Sequence, residues 1–189
     1  MDLRTPLKRT AVVRKVLLVV VMMMVAIASL AAAAVAGGDR IAGRVSVPGG
    51  ISIRVPVGWH VVRGWLSDVT DPSPRLAVAS FPARLSGRTC ECGFPNVLNF
   101  SHDGAFVFVW EYLHPSRREL ASVPSRPARF DVAAGGAVRH TCDGSSDTFG
   151  FKDAGRAFQV EVYLGPGAGP ELRGRAAAML ASLRVAPAA

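Results

Sequence analysis

Between Ala105 and Trp110 every residue is apolar, at odd and even positions alike. This pattern is typical of a strand covered on both faces, and its aromatic and β-branched residues favour a strand over a helix. Alternate side chains of a strand point to opposite faces. One face would hold Phe106, Phe108, Trp110 and Tyr112, and the other Ala105, Val107, Val109 and Glu111. We expect the sheet of the domain to be built around this strand.

Alternation of apolar and polar residues predicts further strands on both sides of this segment. In residues 51–57 the inward positions are Ile51, Ile53, Val55 and Val57. In residues 157–164 the inward positions are Phe158, Val160, Val162 and Leu164, and the outward positions are Gln159, Glu161 and Tyr163. Shorter strands are expected at 61–66, 76–81, 130–132, 137–142 and 148–151. Residues 71–74, whose two prolines cannot donate to a ladder, and residues 83–100 are expected to be irregular.

A longer helix is predicted near the C-terminus, besides a short one near 117–121. Pro170 suits the first helical position, and apolar residues follow at helical spacing, namely Leu172, Ala176, Met179, Leu180 and Leu183. The preceding Gly165-x-Gly167-x-Gly169 is similar to a phosphate loop, but Pro170 removes a backbone donor, which favours a simple strand-to-helix connection. The fold class predicted is α+β, with a single antiparallel β-sheet and a packing C-terminal helix.

The N-terminal region has the pattern of an export segment. Residues 16–36 contain no charged residue, and the flank before them carries five basic residues and one acid. A basic flank before an apolar run stays in the cytoplasm and directs the following chain across the membrane. We therefore expect an N-terminal transmembrane or signal helix at 1–38, a spacer at 39–50 and an extracytoplasmic α+β domain at 51–186.

The sequence is compatible with two outcomes for the export segment, retention as an anchor or cleavage. A run of about 20 apolar residues can span a bilayer, which would give a single-pass plasma-membrane protein with its domain outside. Ala34-Val35-Ala36 is also a small-x-small cleavage site, and cleavage near Ala36 would give a secreted protein. The long basic flank favours the retained anchor.

The distribution of charge argues against nucleic acid as a partner. The formal net charge is +8, but residues 1–38 hold five of the 22 basic residues and one of the 14 acidic residues. The remaining 17 basic and 13 acidic residues give the exported part a net charge of +4. This mixed surface has no basic stripe interleaved with aromatic residues, which nucleic-acid binding would require.

The three cysteines and a nearby histidine form the most distinctive chemical pattern. Thiols outside the cytoplasm tend to be oxidised, which predicts a disulfide from Cys142 to Cys90 or Cys92, with one thiol left over. The alternative is a metal site. Cys90-x-Cys92 and His140-x-Cys142 would each place two ligands on one face of a strand, and three thiolates with one imidazole suit tetrahedral zinc. The spacing is unusual for zinc and export favours oxidation, so we expect no cofactor.

Glu111 and two tryptophans are the remaining candidates for a site. Glu111 is an acid at the end of an apolar strand, and a buried carboxylate can have a raised pKa and act as a general acid or base. The rarity of unpaired buried acids favours instead an ion pair with one of the arginines. Trp59 and Trp65 can line a binding groove, although core packing is the favoured interpretation.

Three short motifs carry a resemblance to known proteins. They are Val55-Pro56-Val57-Gly58-Trp59 after a strand, Arg-Ala-Phe-Gln-Val-Glu-Val at 156–162, and Leu-Ala-Ser-Leu-Arg-Val at 180–185. In these motifs the chain resembles uncharacterised exported actinobacterial proteins and, more distantly, is similar to the PsbP-like α/β fold. The resemblance, from about Ile51 to Val185, implies an antiparallel sheet flanked by helices. It brings no catalytic residues, since such domains mostly serve as assembly or binding modules.

Together these patterns predict a non-enzymatic extracytoplasmic domain, membrane-anchored or secreted, that binds or assembles an envelope partner. The partner is expected to be an envelope protein or ligand of unknown identity, and the N-terminal helix provides the link to the membrane. The alternative is a metal-handling or redox protein that uses Cys90, Cys92, His140 and Cys142.

Overall fold

The computed structural model describes residues 41–90, 93–133, 141–143 and 146–187. The predicted export segment lies outside these ranges. Among the residues that are described, no helix is both long enough and apolar enough to cross a membrane.

The described elements confirm the α+β class with antiparallel strands. In chain order they are β1 (Ile41–Val47), β2 (Ile51–Pro56), β3 (His60–Val62), β4 (Ser73–Ala79), β5 (Leu85–Thr89), β6 (Pro95–Val97), β7 (Ala105–Tyr112), α1 (Arg117–Ser122), a 3₁₀ turn (Thr141–Asp143), β8 (Asp147–Asp153), β9 (Arg156–Leu164), α2 (Pro170–Ala181) and β10 (Arg184–Val185). The predicted short helix and the predicted C-terminal helix are therefore both present. The expected spacer, residues 39–50, includes β1.

The prediction of a single sheet is wrong, because the described strands form three sheets. The largest has the order β3-β4-β7-β9-β8, the second β1-β2-β10, and the third is the pair β5-β6. A sheet that is apolar on both faces needs a separate layer on each side, and the two smaller sheets contribute to those layers.

Strand β7 lies in the middle of the five-stranded sheet, as predicted. It pairs with β4 on one side and with β9 on the other, and Ala105–Glu111 are all buried. The two predicted faces are also confirmed. Val107 and Val109 belong to one apolar cluster, and Phe106, Phe108 and Trp110 belong to the other.

The first face of the large sheet is covered by β2 and α2. Ile51, Ile53 and Val55 of β2 pack against it, and the helix contributes Ala176, Met179 and Leu180. Val57 was expected to point inward but is exposed, because β2 ends at Pro56 and the chain turns at Gly58 with a positive φ. After α2 the chain returns as β10, which pairs with β2.

The second face is covered by a smaller layer made of β5, β6 and their flanking residues. Phe94 packs edge-to-face on Trp110 and also contacts Tyr163, while Phe100 packs on Phe81. The prediction that residues 83–100 are irregular is therefore wrong. Phe94 of this layer contacts Tyr163, and both Glu161 and Tyr163, which were expected to point to solvent, are buried.

Two further predicted segments differ in the structure. Strand β4 begins at Ser73 and includes Pro74, within the segment expected to be a loop. The proline is tolerated because β3 pairs only with Ala77–Ala79, so the first half of β4 has an open edge where a donor is not needed. Residues 130–132 form no strand; instead Phe130 packs edge-to-face on Phe149 and Phe151.

The glycine-rich segment before α2 is a strand-to-helix connection, which was the interpretation favoured by the sequence. The amide of Gly165 donates to the carbonyl of Gly104 at 2.8 Å, and that of Gly167 donates to the carbonyl of His102 at 2.9 Å. A Cβ added to Gly165 would overlap the carbonyl oxygens of Ser101 and His102. Close packing of two backbone segments therefore explains this glycine, and the two amides are not available to a phosphate.

Two glycine substitutions should have opposite effects on stability. Gly165→Ala is expected to lower the free energy of unfolding by about 1–3 kcal/mol, because the carbonyls beside it cannot move away cheaply. Gly174→Ala, in the interior of α2 with open space around its Cα, is expected to raise it by about 1 kcal/mol through helix propensity. Urea unfolding of both variants checks the pair, and equal signs would contradict this account of the connection.

Candidate functional site

The main candidate site is an open groove of about 750 Å³ beside β3, which we call the basic groove. One wall consists of the consecutive residues 60–63 with Trp65. The other consists of residues 82–85 with Gly87 and Asn99. Consecutive residues of a strand point to opposite faces, so a cavity that contacts each of them runs along the edge of the strand. The groove therefore follows the free edge of the large sheet.

The basic groove is lined by two arginines, Arg63 and Arg84, and by His60. Among the described residues, no aspartate or glutamate lines it. Arg63 and Arg84 are exposed, and their guanidinium groups form no hydrogen bond or ion pair within the described part of the chain. These two groups are thus available to an anionic group of a partner.

The groove also presents one large aromatic surface. Trp65 is 43% exposed, whereas Trp59 is buried in the core. The core-packing prediction is therefore confirmed for Trp59 and wrong for Trp65. An exposed tryptophan beside arginines is typical of the residues that contribute most to binding at interfaces.

Backbone hydrogen bonds hold the second wall of the groove in place. The side-chain oxygen of Asn99 accepts from the amide of Arg84 at 2.7 Å, and its amide group donates to the carbonyl of Pro82 at 2.8 Å. Arg84 also accepts from the amide of Leu98 at 2.9 Å. The position of Arg84 is therefore set by the segment that follows β6.

A disulfide joins Cys90, directly after β5, to Cys142 in the 3₁₀ turn, with the two Cα atoms 5.3 Å apart. This is one of the two predicted pairings. Next to it, the buried hydroxyl of Thr141 donates to the carbonyl of Pro95 at 2.6 Å and accepts from the amide of Val97 at 3.1 Å. The turn is thus attached to both ends of β6, and the disulfide secures the layer that forms one wall of the groove.

The alternative metal site loses two of its four ligands to this disulfide, since a paired cysteine has no thiolate to offer. The other two, Cys92 and His140, lie outside the described residues. Within the ranges that are described, no group of three or more histidine, cysteine or acidic side chains is arranged to hold a metal ion.

Glu111 forms the ion pairs that the sequence favoured. It is 5% exposed, and its carboxylate accepts from Arg75 Nε at 2.6 Å and from Arg156 Nε and Nη2 at 2.7 Å each. Arg156 Nη1 donates in addition to the carbonyls of Gly49 and Ala186. These contacts connect the centre of the large sheet to the turn after β1 and to the end of β10.

The ion pairs determine the protonation of Glu111. Burial raises the pKa of its carboxyl group, but the hydrogen bonds and charges of Arg156 and Arg75 outweigh burial, so the pKa lies below its usual value. Glu111 is therefore ionised at neutral pH and has its lone pairs occupied. This is the environment of a structural carboxylate, whereas a general acid needs a raised pKa.

Glu161 is a second buried acid, which the sequence analysis did not select. It is 3% exposed and accepts hydrogen bonds from Tyr163 at 2.7 Å, from Gln159 at 2.6 Å and from Ser146 at 3.2 Å. Gln159, Glu161 and Tyr163 occupy alternate positions on one face of β9, and this spacing was the available signal. Glu161 is buried and does not line the groove.

A second cavity of about 490 Å³ lies near the end of β7 and contains Asp71, His114 and Glu119. Its acids already have partners. Asp71 accepts from the amide of Leu113 at 2.9 Å and contacts the His114 ring at 3.1 Å, while Glu119 closes a capping box with Ser116 at the start of α1. The basic groove, whose arginines lack such partners, is therefore the stronger candidate.

Comparison with protein-family models gave no match, and comparison with curated proteins gave no significant match either. The resemblance to the PsbP-like fold stays a prediction. The groove and the chemistry of the residues around it therefore provide the evidence about function.

Replacement of Glu111 should give a destabilisation that depends on pH. Glu111→Gln is expected to lower the free energy of unfolding by about 3 kcal/mol at pH 7, because it leaves Arg156 buried without its anion. The pKa of Glu111 is lowered in the folded state, so its contribution is present above the usual pKa and is lost as pH falls through the folded value. The difference in the free energy of unfolding between wild type and variant should therefore become smaller as the pH is lowered.

Chemical unfolding of both proteins between neutral and acidic pH measures this difference in the free energy of unfolding. The matched control is Glu171→Gln, which removes an exposed acid in the first turn of α2. Glu171→Gln should change the free energy of unfolding much less than Glu111→Gln does at neutral pH, and this small change should persist at every pH. A difference that is independent of pH would show that the Glu111 variant acts through packing rather than through charge.

The disulfide should leave one thiol reactive and stabilise the fold. We expect one alkylatable cysteine before reduction and three after it. The cysteines are 52 positions apart, and closing a loop of that size stabilises by about 4 kcal/mol in chain-entropy terms. Cys90→Ser and Cys142→Ser should each lower the free energy of unfolding by that order, while Cys92→Ser should leave the pair and the stability unchanged. Mass spectrometry after alkylation, with urea unfolding, tests both statements.

Proposed function

We propose that this protein is a non-enzymatic extracytoplasmic binding domain that contacts an anionic envelope partner through the basic groove. Two features support the location outside the cytoplasm. They are the N-terminal export pattern, which predicts a single-pass or secreted protein, and the Cys90–Cys142 disulfide, which suits an oxidising compartment.

The observation that carries the proposal is the combination of side chains in the groove. Arg63 and Arg84 lie on opposite walls of the groove. Trp65 lines the groove and is also exposed to solvent. Neither arginine has an anionic partner within the described residues, and each guanidinium group can form paired hydrogen bonds with a carboxylate or phosphate. An anionic partner satisfies them and covers the tryptophan.

The state of the buried acids supports a binding role over a catalytic one. Glu111 is neutralised by two arginines, and Glu161 is hydrogen-bonded and covered. Neither carboxylate lines the basic groove. The redox or metal-handling alternative is weakened for a separate reason, because the disulfide withdraws Cys90 and Cys142 from the ligand set.

Site-specific cross-linking in the native envelope tests the proposed function. A photo-reactive phenylalanine derivative replaces Trp65, which is 43% exposed, or as a control Leu113, which is 40% exposed at the end of β7. We expect a discrete adduct from position 65 and none from position 113. The intact mass of the same preparation shows whether residues 1–36 are retained.

Charge reversal provides the second arm of this experiment. Arg63→Glu with Arg84→Glu should abolish the adduct from position 65. Arg117→Glu with Arg118→Glu, which changes the same amount of charge on exposed residues of α1, should leave it intact. If both double variants behave alike, or if positions 65 and 113 give the same adducts, the groove is not the binding site.

A further inference from the structure

The outer edge of β3 has backbone groups without partners. β3 is the first strand in the order of the large sheet and pairs only with β4. Within the described residues, no hydrogen bond besides that ladder reaches the backbone of residues 60–63. In an antiparallel pair, alternate residues direct their N–H and C=O groups away from the partner strand. At least one residue of β3 therefore presents a free donor and acceptor to the groove.

The groove follows this edge and is therefore elongated along the direction of the strand. It contacts four consecutive residues on the β3 side and four on the opposite wall, 82–85. Residues 82–85 do not pair with β3, because β5 pairs only with β6. A strand added to this edge would lie about 5 Å from β3.

We propose that the groove binds an extended acidic peptide segment of another protein, which adds to the free edge of β3 as a sixth strand of the large sheet. This inference rests on the proposed function and names the class of partner. Backbone hydrogen bonds to β3 would hold the segment, its carboxylates would pair with Arg63 and Arg84, and an apolar side chain would pack on Trp65.

The charges in the groove argue against two other occupants. A second copy of this chain, paired edge to edge through β3, would bring Arg63 close to its own counterpart, and like charges oppose such pairing. The N-terminal flank of the same chain carries five basic residues and one acid, so it too has the wrong sign. An acidic segment from a different protein has the complementary charge.

Selection from a random octapeptide library on the full-length protein tests the inference. We expect enrichment of sequences in which acidic residues alternate with β-branched or aromatic ones. Peptides chosen in this way should bind at least tenfold more weakly to the Arg63→Glu, Arg84→Glu variant. They should bind with unchanged affinity to the Arg117→Glu, Arg118→Glu variant, which keeps the groove. Enrichment that is the same on all three proteins would overturn the inference.

Methylation of peptide nitrogens then distinguishes strand addition from simple charge pairing. Two versions of the best peptide are made, each N-methylated at alternate residues in one of the two possible registers. N-methylation removes backbone donors and leaves every side chain in place, so the version that blocks the edge facing β3 should bind at least tenfold more weakly than the other.

The two tests fail in different ways. If both methylated peptides bind as well as the parent and still require Arg63 and Arg84, strand addition is wrong and the anionic groove stands. If octapeptide selection fails while cross-linking from position 65 still depends on the arginines, the partner is an anionic molecule other than a peptide. If cross-linking fails as well, the proposed function itself is wrong.

Discussion

The burial of β7 on both faces is the constraint from which the architecture of this domain follows. Every side chain from Ala105 to Glu111 is buried, so the chain must place a layer on each side of the large sheet. One layer, formed by β2 and α2, is broad and apolar. The other is the short β5–β6 pair with its aromatic neighbours, and its attachment is completed by the Cys90–Cys142 disulfide and by the buried hydroxyl of Thr141.

The groove is a consequence of how that smaller layer crosses the sheet. The chain leaves β4 and passes the edge of β3 at residues 82–85 without pairing to it, before it forms β5. A covering layer that paired with β3 would have closed the edge. The disulfide joins the end of β5 to the 3₁₀ turn, so it secures the same layer that contributes the second wall of the groove.

The elements that the sequence predicted correctly are those whose apolar residues extend over a long segment. β7 is apolar at every position from Ala105 to Trp110, and α2 carries apolar residues at helical spacing over at least two turns. β5 and β6 are five and three residues long, with an irregular register, and such strands form only because a layer is needed above β7. Glu161 was placed at the surface because alternation assumes one solvated face. Here the polar face is buried too, and its side chains form hydrogen bonds with one another.

No local spacing connects Arg63 to Arg84, since only the topology of the sheet brings them together.

The arginines show why net charge says little about where this protein binds. Arg75 and Arg156 are used inside the fold, where the Glu111 carboxylate occupies their donors, whereas Arg63 and Arg84 have donors that face the groove. At physiological ionic strength the Debye length is about 8 Å, so a surface charge of modest size acts mainly on groups that are already in contact. Charge at the groove can therefore select the sign of a partner but cannot by itself align it. In the proposed complex the open edge of β3 would supply this alignment, because backbone hydrogen bonds fix both the direction and the register of an added chain.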